Sequence, residues 1–180
     1  MRKLQSGVMG SAADLKFSKD AEIAAFKLGE LIAENQCILI YGAEKDVDSL
    51  STVACKGAKN KGGLTVGITY GKHKNIFYKD TDVTIPTGID RGGGREFVLS
   101  LSCDVLIAIS GGSGTLNEIA VAYQADIPII ALTGYGGWAD NLEGTFLDNR
   151  NRRKIIAAKT PDKAIKLAIE QAKKYADKYA

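Results

Sequence analysis

A chain of 180 residues with 45% hydrophobic and 25% charged residues has the make-up of one soluble globular domain, read here as spanning 1–180. Its formal charge of +3 is too small to mark a dedicated nucleic-acid binder. No apolar run approaches the roughly 20 residues of a bilayer span. The opening MRKLQSGVMGSAAD lacks the apolar run of a signal peptide, so no membrane association and a cytoplasmic location are expected.

In chain order, LQSGVMGSA reads as a strand entering a Gly-Ser turn, and SKDAEIAAFKLGELIAENQ as a helix. That helix places Ala21, Ala24, Ala25, Leu28, Leu31 and Ile32 on one face. CILIYGA has no polar alternation, as expected of a strand covered on both faces. DSLSTVACKGAKNKGG is a helix stopped by Gly62 and Gly63, and LTVGITYG is a third strand. DVTIP is a short strand before the loop TGIDRGGGR; EFVLSLS is a helix, CDVLIAIS a strand and GTLNEIAVAYQAD a helix. IPIIALTGYGG is the last clear strand, and TPDKAIKLAIEQAKKYADKYA closes as a helix with Ala164, Leu167, Ala168 and Ala172 inward.

Strands alternating with helices predict right-handed βαβ units, hence a three-layer Rossmann-like α/β domain with a mostly parallel sheet. In such sheets ligands sit outside the carboxyl ends of the strands. Four glycine-bearing turns follow strands, at Gly10-Ser11, Gly42-Ala43, Gly111 to Gly114 and Gly134 to Gly137, and are expected to converge on one edge. Cys37, Cys55 and Cys103 lie in apolar segments and read as small buried hydrophobes, and with His73 as the single histidine no metal site is expected. His73 and the basic run NRNRRK (149–154) read as solvated, and Trp138 as a buried or interface residue.

The segment AISGGSGTLNEIA (108–120) concentrates glycines, Ser113 and Thr115 where a strand meets a helix. The first amides of that helix lack internal partners and the helix dipole makes them an anion seat, so phosphate is the natural occupant of Gly111, Gly112, Ser113, Gly114 and Thr115. Three other motifs fail. Asn117 breaks G-x-G-x-x-G, no Gly-Lys-Ser/Thr follows, and Thr115 stands where a hydrolase elbow needs glycine. Glu118, one turn in, suits the helix dipole; beside a phosphate it would meet another part of the ligand, such as ribose hydroxyls or a developing cation. DRGGGRE offers Arg91 and Arg95 on a glycine-rich loop able to close over an anion.

GGSGTLNE resembles the GGxGTxxE signature of the proteins long labelled "possible lysine decarboxylases", which include phosphoribohydrolases releasing cytokinin bases from their nucleotides. Arg95, sixteen positions before Gly111, matches the second hallmark. TGYGGWADNL and the last helix are similar to the branch containing molybdenum-cofactor carrier proteins. The resemblance implies a nucleoside-monophosphate-like ligand with phosphate on Gly111 to Thr115; Gly10, Ser11 and Gly42, on the converging turns, are expected among the phosphate- or nucleotide-binding residues. Glu118 would lie at the ribose and Arg95 beside it, the pair being catalytic in the hydrolases through stabilisation of an oxocarbenium-like sugar. It also implies a homodimer or higher homo-oligomer. The chain departs from the hydrolases at three places: Glu96 replaces lysine, Ser110 replaces proline, and the second turn reads YGAEKDVDSLST with Glu44, Asp46 and Asp48.

Two functions follow as expectations: a nucleoside 5′-monophosphate phosphoribohydrolase, or a non-catalytic binder or carrier of a nucleotide or molybdopterin-type cofactor. No cofactor is required for the first; a bound nucleotide, phosphate or molybdopterin-type ligand fits the second. Lysine decarboxylation has no support, because no pyridoxal-phosphate site is visible.

Overall fold

In a computed structural model, which describes residues 2–90 and 94–178, the strands and helices alternate as the pattern predicts. The order is β1 (Gln5–Gly10), α1 (Lys19–Glu34), β2 (Ile38–Gly42), α2 (Leu50–Asn60), β3 (Thr65–Thr69), β4 (Val83–Pro86) and α3 (Arg95–Leu101). It continues with β5 (Val105–Ile109), α4 (Ser113–Gln124), β6 (Ile129–Leu132), α5 (Gly137–Asn141), β7 (Ile156–Ala158) and α6 (Pro161–Lys178). Local chemistry sets several of these ends. Ser18 Oγ accepts from the Ala21 amide at 3.1 Å, Ser49 Oγ from the Thr52 amide at 3.0 Å, and Gly62 takes φ +69° just beyond α2.

Two elements escape the sequence pattern. β7 has three residues and follows the basic run, so it is too short to show a period, and α5 starts on the two glycines of the last turn. A 3-10 turn at Ala13–Leu15 also lies between β1 and α1.

The seven strands form one sheet, ordered β4-β3-β2-β1-β5-β6-β7, and every pairing is parallel. The chain builds outward from β1 to β4, then returns to the other side of β1 and builds outward again from β5. The order therefore reverses between β1 and β5, where the turns after these strands leave for opposite faces.

Alternate residues of the central strands feed two cores. Ile107 and Ile109 join Val8, Leu39 and Tyr41 beneath α1, α2 and α6, while Leu106 and Ala108 join Met9, Ile40 and Ile68 beneath α3, α4 and α5. The six apolar residues expected on the inner face of α1 are buried, as are Ala164, Ala168 and Ala172 of α6, with Leu167 partly so. All three cysteines are free and buried. Among the described residues no helix is long and apolar enough to cross a membrane.

Helices α1 and α2 touch backbone to backbone. A Cβ on Gly29 would lie 1.8 Å from the Ala54 carbonyl oxygen, and one on Gly57 would lie 2.0 Å from that of Phe26. Such contacts leave no room for a methyl group. Gly57→Ala is therefore expected to force the helices apart and cost about 1–3 kcal/mol. At roughly 2–4 °C per kcal/mol, thermal unfolding would show the loss as a Tm lower by several degrees.

Candidate functional site

The β1/β5 reversal opens into a cleft of about 510 Å³ lined by Gly10, Ser11, Glu44, Tyr70, Arg95, Glu96, Glu118 and the start of α4. One wall is that helix start. Gly112 caps it without a side-chain hydrogen bond, and among the described residues nothing accepts from the amides of Ser113, Gly114 and Thr115. Ser113 and Gly114 are exposed and Thr115 is buried. A Cβ on Gly114 would meet nothing within 4 Å, so no neighbour in the chain demands glycine there. Gly111, by contrast, has φ +101°, and a Cβ on it would strike Thr115 at 2.5 Å.

The expected convergence of the turns is present, and its bonds show how the seat is held. Ser11 Oγ accepts from the Gly111 amide at 2.9 Å and donates to Ser110 Oγ at 3.0 Å. Gly10 lies close against Ile109 and Leu50, whose atoms would stand 2.9 Å from a Cβ. From the other side, the amides of Trp138 and Ala139 donate to the carbonyls of Gly111 and Ser110 at 3.0 and 2.9 Å. Gly137 makes that approach possible, since a Cβ there would lie 2.5 Å from the Ser110 backbone. Ser110 itself has φ +54°, a conformation closed to proline, whose ring holds φ near −65°. The replacement of proline by serine is thus tied to a different backbone path into the seat.

The closed end of the cleft is built around Arg95, at the first residue of α3. Its guanidinium lies 3.8 Å from the centre of the Tyr70 ring, and a Cβ on Gly42 would stand 3.2–3.3 Å from Cζ and both terminal nitrogens. Gly42 therefore makes room for this flat cation, a role different from contact with a phosphate. Arg95 Nη1 donates to Glu44 Oε1 at 2.9 Å, and Nη2 lies 3.7 Å from Glu96 Oε1. The Tyr70 hydroxyl donates to Glu96 Oε1 at 3.1 Å; burial raises its pKa to about 12, so it remains a donor at neutral pH. Arg95 and Glu96 are only 6% and 4% exposed, and among the described residues Arg95 Nε and Glu96 Oε2 have no hydrogen-bond partner.

Glu118 completes this end from the first turns of α4. It is 6% exposed, and among the described residues no group donates to its carboxylate. Burial pushes its pKa from an ordinary 4.5 up to about 8; Arg95 acts to lower it, while Glu96 and Glu44 add to the rise. At neutral pH this group is largely protonated.

The structure brings Gly10, Ser11, Arg95, Gly112, Ser113, Gly114, Thr115 and Glu118 to one cleft, with Gly42 and Gly111 supporting it from behind. Arg91 lies outside the described residues. Of the three acids in the altered turn, Glu44 turns inward onto Arg95, Asp48 pairs with Lys56 at 2.7 Å, and Asp46 is exposed. Sequence reasoning missed Tyr70 and the pairing of Glu44 with Arg95, because neither has a motif and the latter two are 51 positions apart. Trp138 is half-buried and lies outside the cleft lining, His73 is exposed, and the basic run is partly tied down through Arg150–Asp148 and Arg153–Asp126 pairs.

The SLOG cluster4 family profile matches residues 3–165. A curated relative from Archaeoglobus fulgidus, described only as an uncharacterized protein, is 37% identical over 124 residues, covering 69% of this chain and 76% of its own. Among solved structures, the molybdenum cofactor binding protein of the phototrophic bacterium Rippkaea orientalis superposes with a TM-score of 0.81 at 32% identity, covering 94% of this chain and 98% of that one. The molybdenum cofactor carrier protein of Chlamydomonas reinhardtii superposes with a TM-score of 0.79 at 29% identity, covering 96% and 99%.

Removing the central cation should be severe. Arg95→Ala leaves Glu44 and Glu96 facing one another without it, and denaturant unfolding should show a loss of about 3–5 kcal/mol. Glu118 should act in the opposite sense. Because its folded pKa lies above the unfolded value, the folded state binds an extra proton between about pH 4.5 and 8, and stability falls as pH rises through that window. Melting curves of Glu118→Gln should nearly match those of the parent at pH 4.5 and lie several degrees higher at pH 8.

Proposed function

The chain belongs to the SLOG cluster4 family, and from that premise we propose that it binds a phosphorylated heterocycle of the pterin-cofactor type, as a carrier or binding protein. The observation that carries this reading is the polarity of one cleft. An open helix N-terminus with three unpartnered amides forms one wall, and an acid-lined end whose Arg95 is already paired forms the other. The first suits a phosphate and the second suits a polar ring. The likeness to two molybdenum cofactor proteins at about one-third identity and nearly full coverage supports the same choice.

The phosphoribohydrolase reading is less well supported by the same geometry. A carboxyl that keeps its proton at neutral pH supplies little negative charge to a developing oxocarbenium ion. Arg95, the other member of the expected pair, is engaged by Glu44 and Glu96. Self-association belongs to the same proposal: Phe97 and Leu101, four apart on α3, remain more than half exposed.

Calorimetric titration with 6-hydroxymethylpterin monophosphate tests the reading. The parent should bind it, and saturating ligand at about 100 times Kd should add roughly 2.7 kcal/mol of stability. Gly114→Ala separates seat from scaffold. With open space around it, the added methyl should leave stability equal or raise it by about 0.5–1 kcal/mol, while affinity falls at least about tenfold as the phosphate is held off. Absence of binding by the parent, or unchanged affinity in Gly114→Ala, would sink the proposal.

A further inference from the structure

One group at the closed end is left over from the reading above. Glu96 stands where the hydrolases carry lysine, is 4% exposed and is part of the cleft lining; one carboxylate oxygen is held, and the other is buried without a partner among the described residues. Oε1 accepts from Tyr70, which sets the orientation of the carboxylate, and Oε2 has no partner. Leaving a charged acceptor unpaired at such depth is costly, so a ligand that supplies a donor there recovers binding energy. Among the described residues no group donates to the neighbouring Glu118 carboxyl, and Arg95 hydrogen-bonds to Glu44.

We propose that Glu96 is a specificity-determining residue, and that its unpartnered Oε2 selects a ligand ring offering the exocyclic amino donor of a 2-amino-4-oxopyrimidine edge. That edge presents an exocyclic NH₂ beside a ring N–H, and a carboxylate oxygen accepting from it makes a charge-assisted hydrogen bond. The pocket shows one such charge-assisted bond internally, where Glu44 Oε1 accepts from Arg95 Nη1. A ring with a carbonyl in place of the amino group turns an oxygen toward Glu96 and is repelled. The lysine of the hydrolases would reverse that preference, since an ammonium donates and has no acceptor to offer. The inference rests on the pterin-type reading of the cleft and adds which edge of the ring is read, and by which residue.

The test compares 6-hydroxymethylpterin monophosphate with 6-hydroxymethyllumazine monophosphate, in which a carbonyl replaces the 2-amino group. Both carry the same phosphate, so the seat on α4 contributes equally. The parent should bind the pterin at least about tenfold more tightly, a ratio typical of a lost charge-assisted hydrogen bond. Glu96→Gln nearly preserves shape, and its amide can donate to the lumazine carbonyl as well as accept from the pterin. The ratio should then shrink to about threefold or less. Equal binding of the two ligands by the parent, or an undiminished ratio in Glu96→Gln, overturns the role of Glu96 while leaving the carrier reading intact. Failure of the parent to bind either ligand overturns both. The comparison within the parent protein needs no variant, so it stands even if Glu96→Gln folds poorly.

Discussion

Burying the Arg95 guanidinium at the carboxyl edge of the sheet demands a flat space, an aromatic or backbone surface against it and an anion at its rim. Gly42 supplies the space, Tyr70 the ring and Glu44 the anion. These three residues leave β2, β3 and the turn after β2, so one side chain on α3 ties together the ends of neighbouring strands. An isolated charge at this depth would cost far more than the fold could offset, which makes the pairing with Glu44 a condition of the architecture. The same burial that requires Glu44 also lifts the pKa of Glu118 and leaves part of Glu96 unsatisfied.

The open start of α4 has a separate origin. It follows from where the strand order reverses: α1 and α4 leave β1 and β5 in opposite directions, and the gap between them exposes the α4 amides. What holds that gap open is a short set of bonds among three turns. Ser11 grips Gly111 from one side, and the start of α5 grips Ser110 and Gly111 from the other. The left-handed Ser110 is the strained element in this set, kept in place by bonds on both flanks. Rigid walls of this sort lower the entropy lost when a ligand is ordered.

The open start of α4 and the acid-lined surroundings of Arg95 give the cleft lining two different chemistries. The sequence departures at Glu44, Glu96 and Ser110 thus belong together, since each changes how the same cavity is lined or entered.

Much of the fold was legible in one dimension because its causes are local. Apolar runs without alternation marked buried parallel strands, serines marked the starts of α1 and α2, and glycines marked the turns. The short β7 and α5 were not legible, since three to five residues carry no period. At the site, GGSGTLNE and the sixteen-residue spacing to Arg95 located both walls of the cleft. The partners of Arg95 were hidden, because Glu44 reaches it across 51 positions and Tyr70 through a ring contact with no sequence signature. The sequence by itself therefore determined most of the strand and helix order and the glycine-rich start of α4, both written in neighbouring residues. Only the tertiary structure decided the charge state of the acidic end, because a carboxyl's proton depends on the depth and the company that distant segments impose.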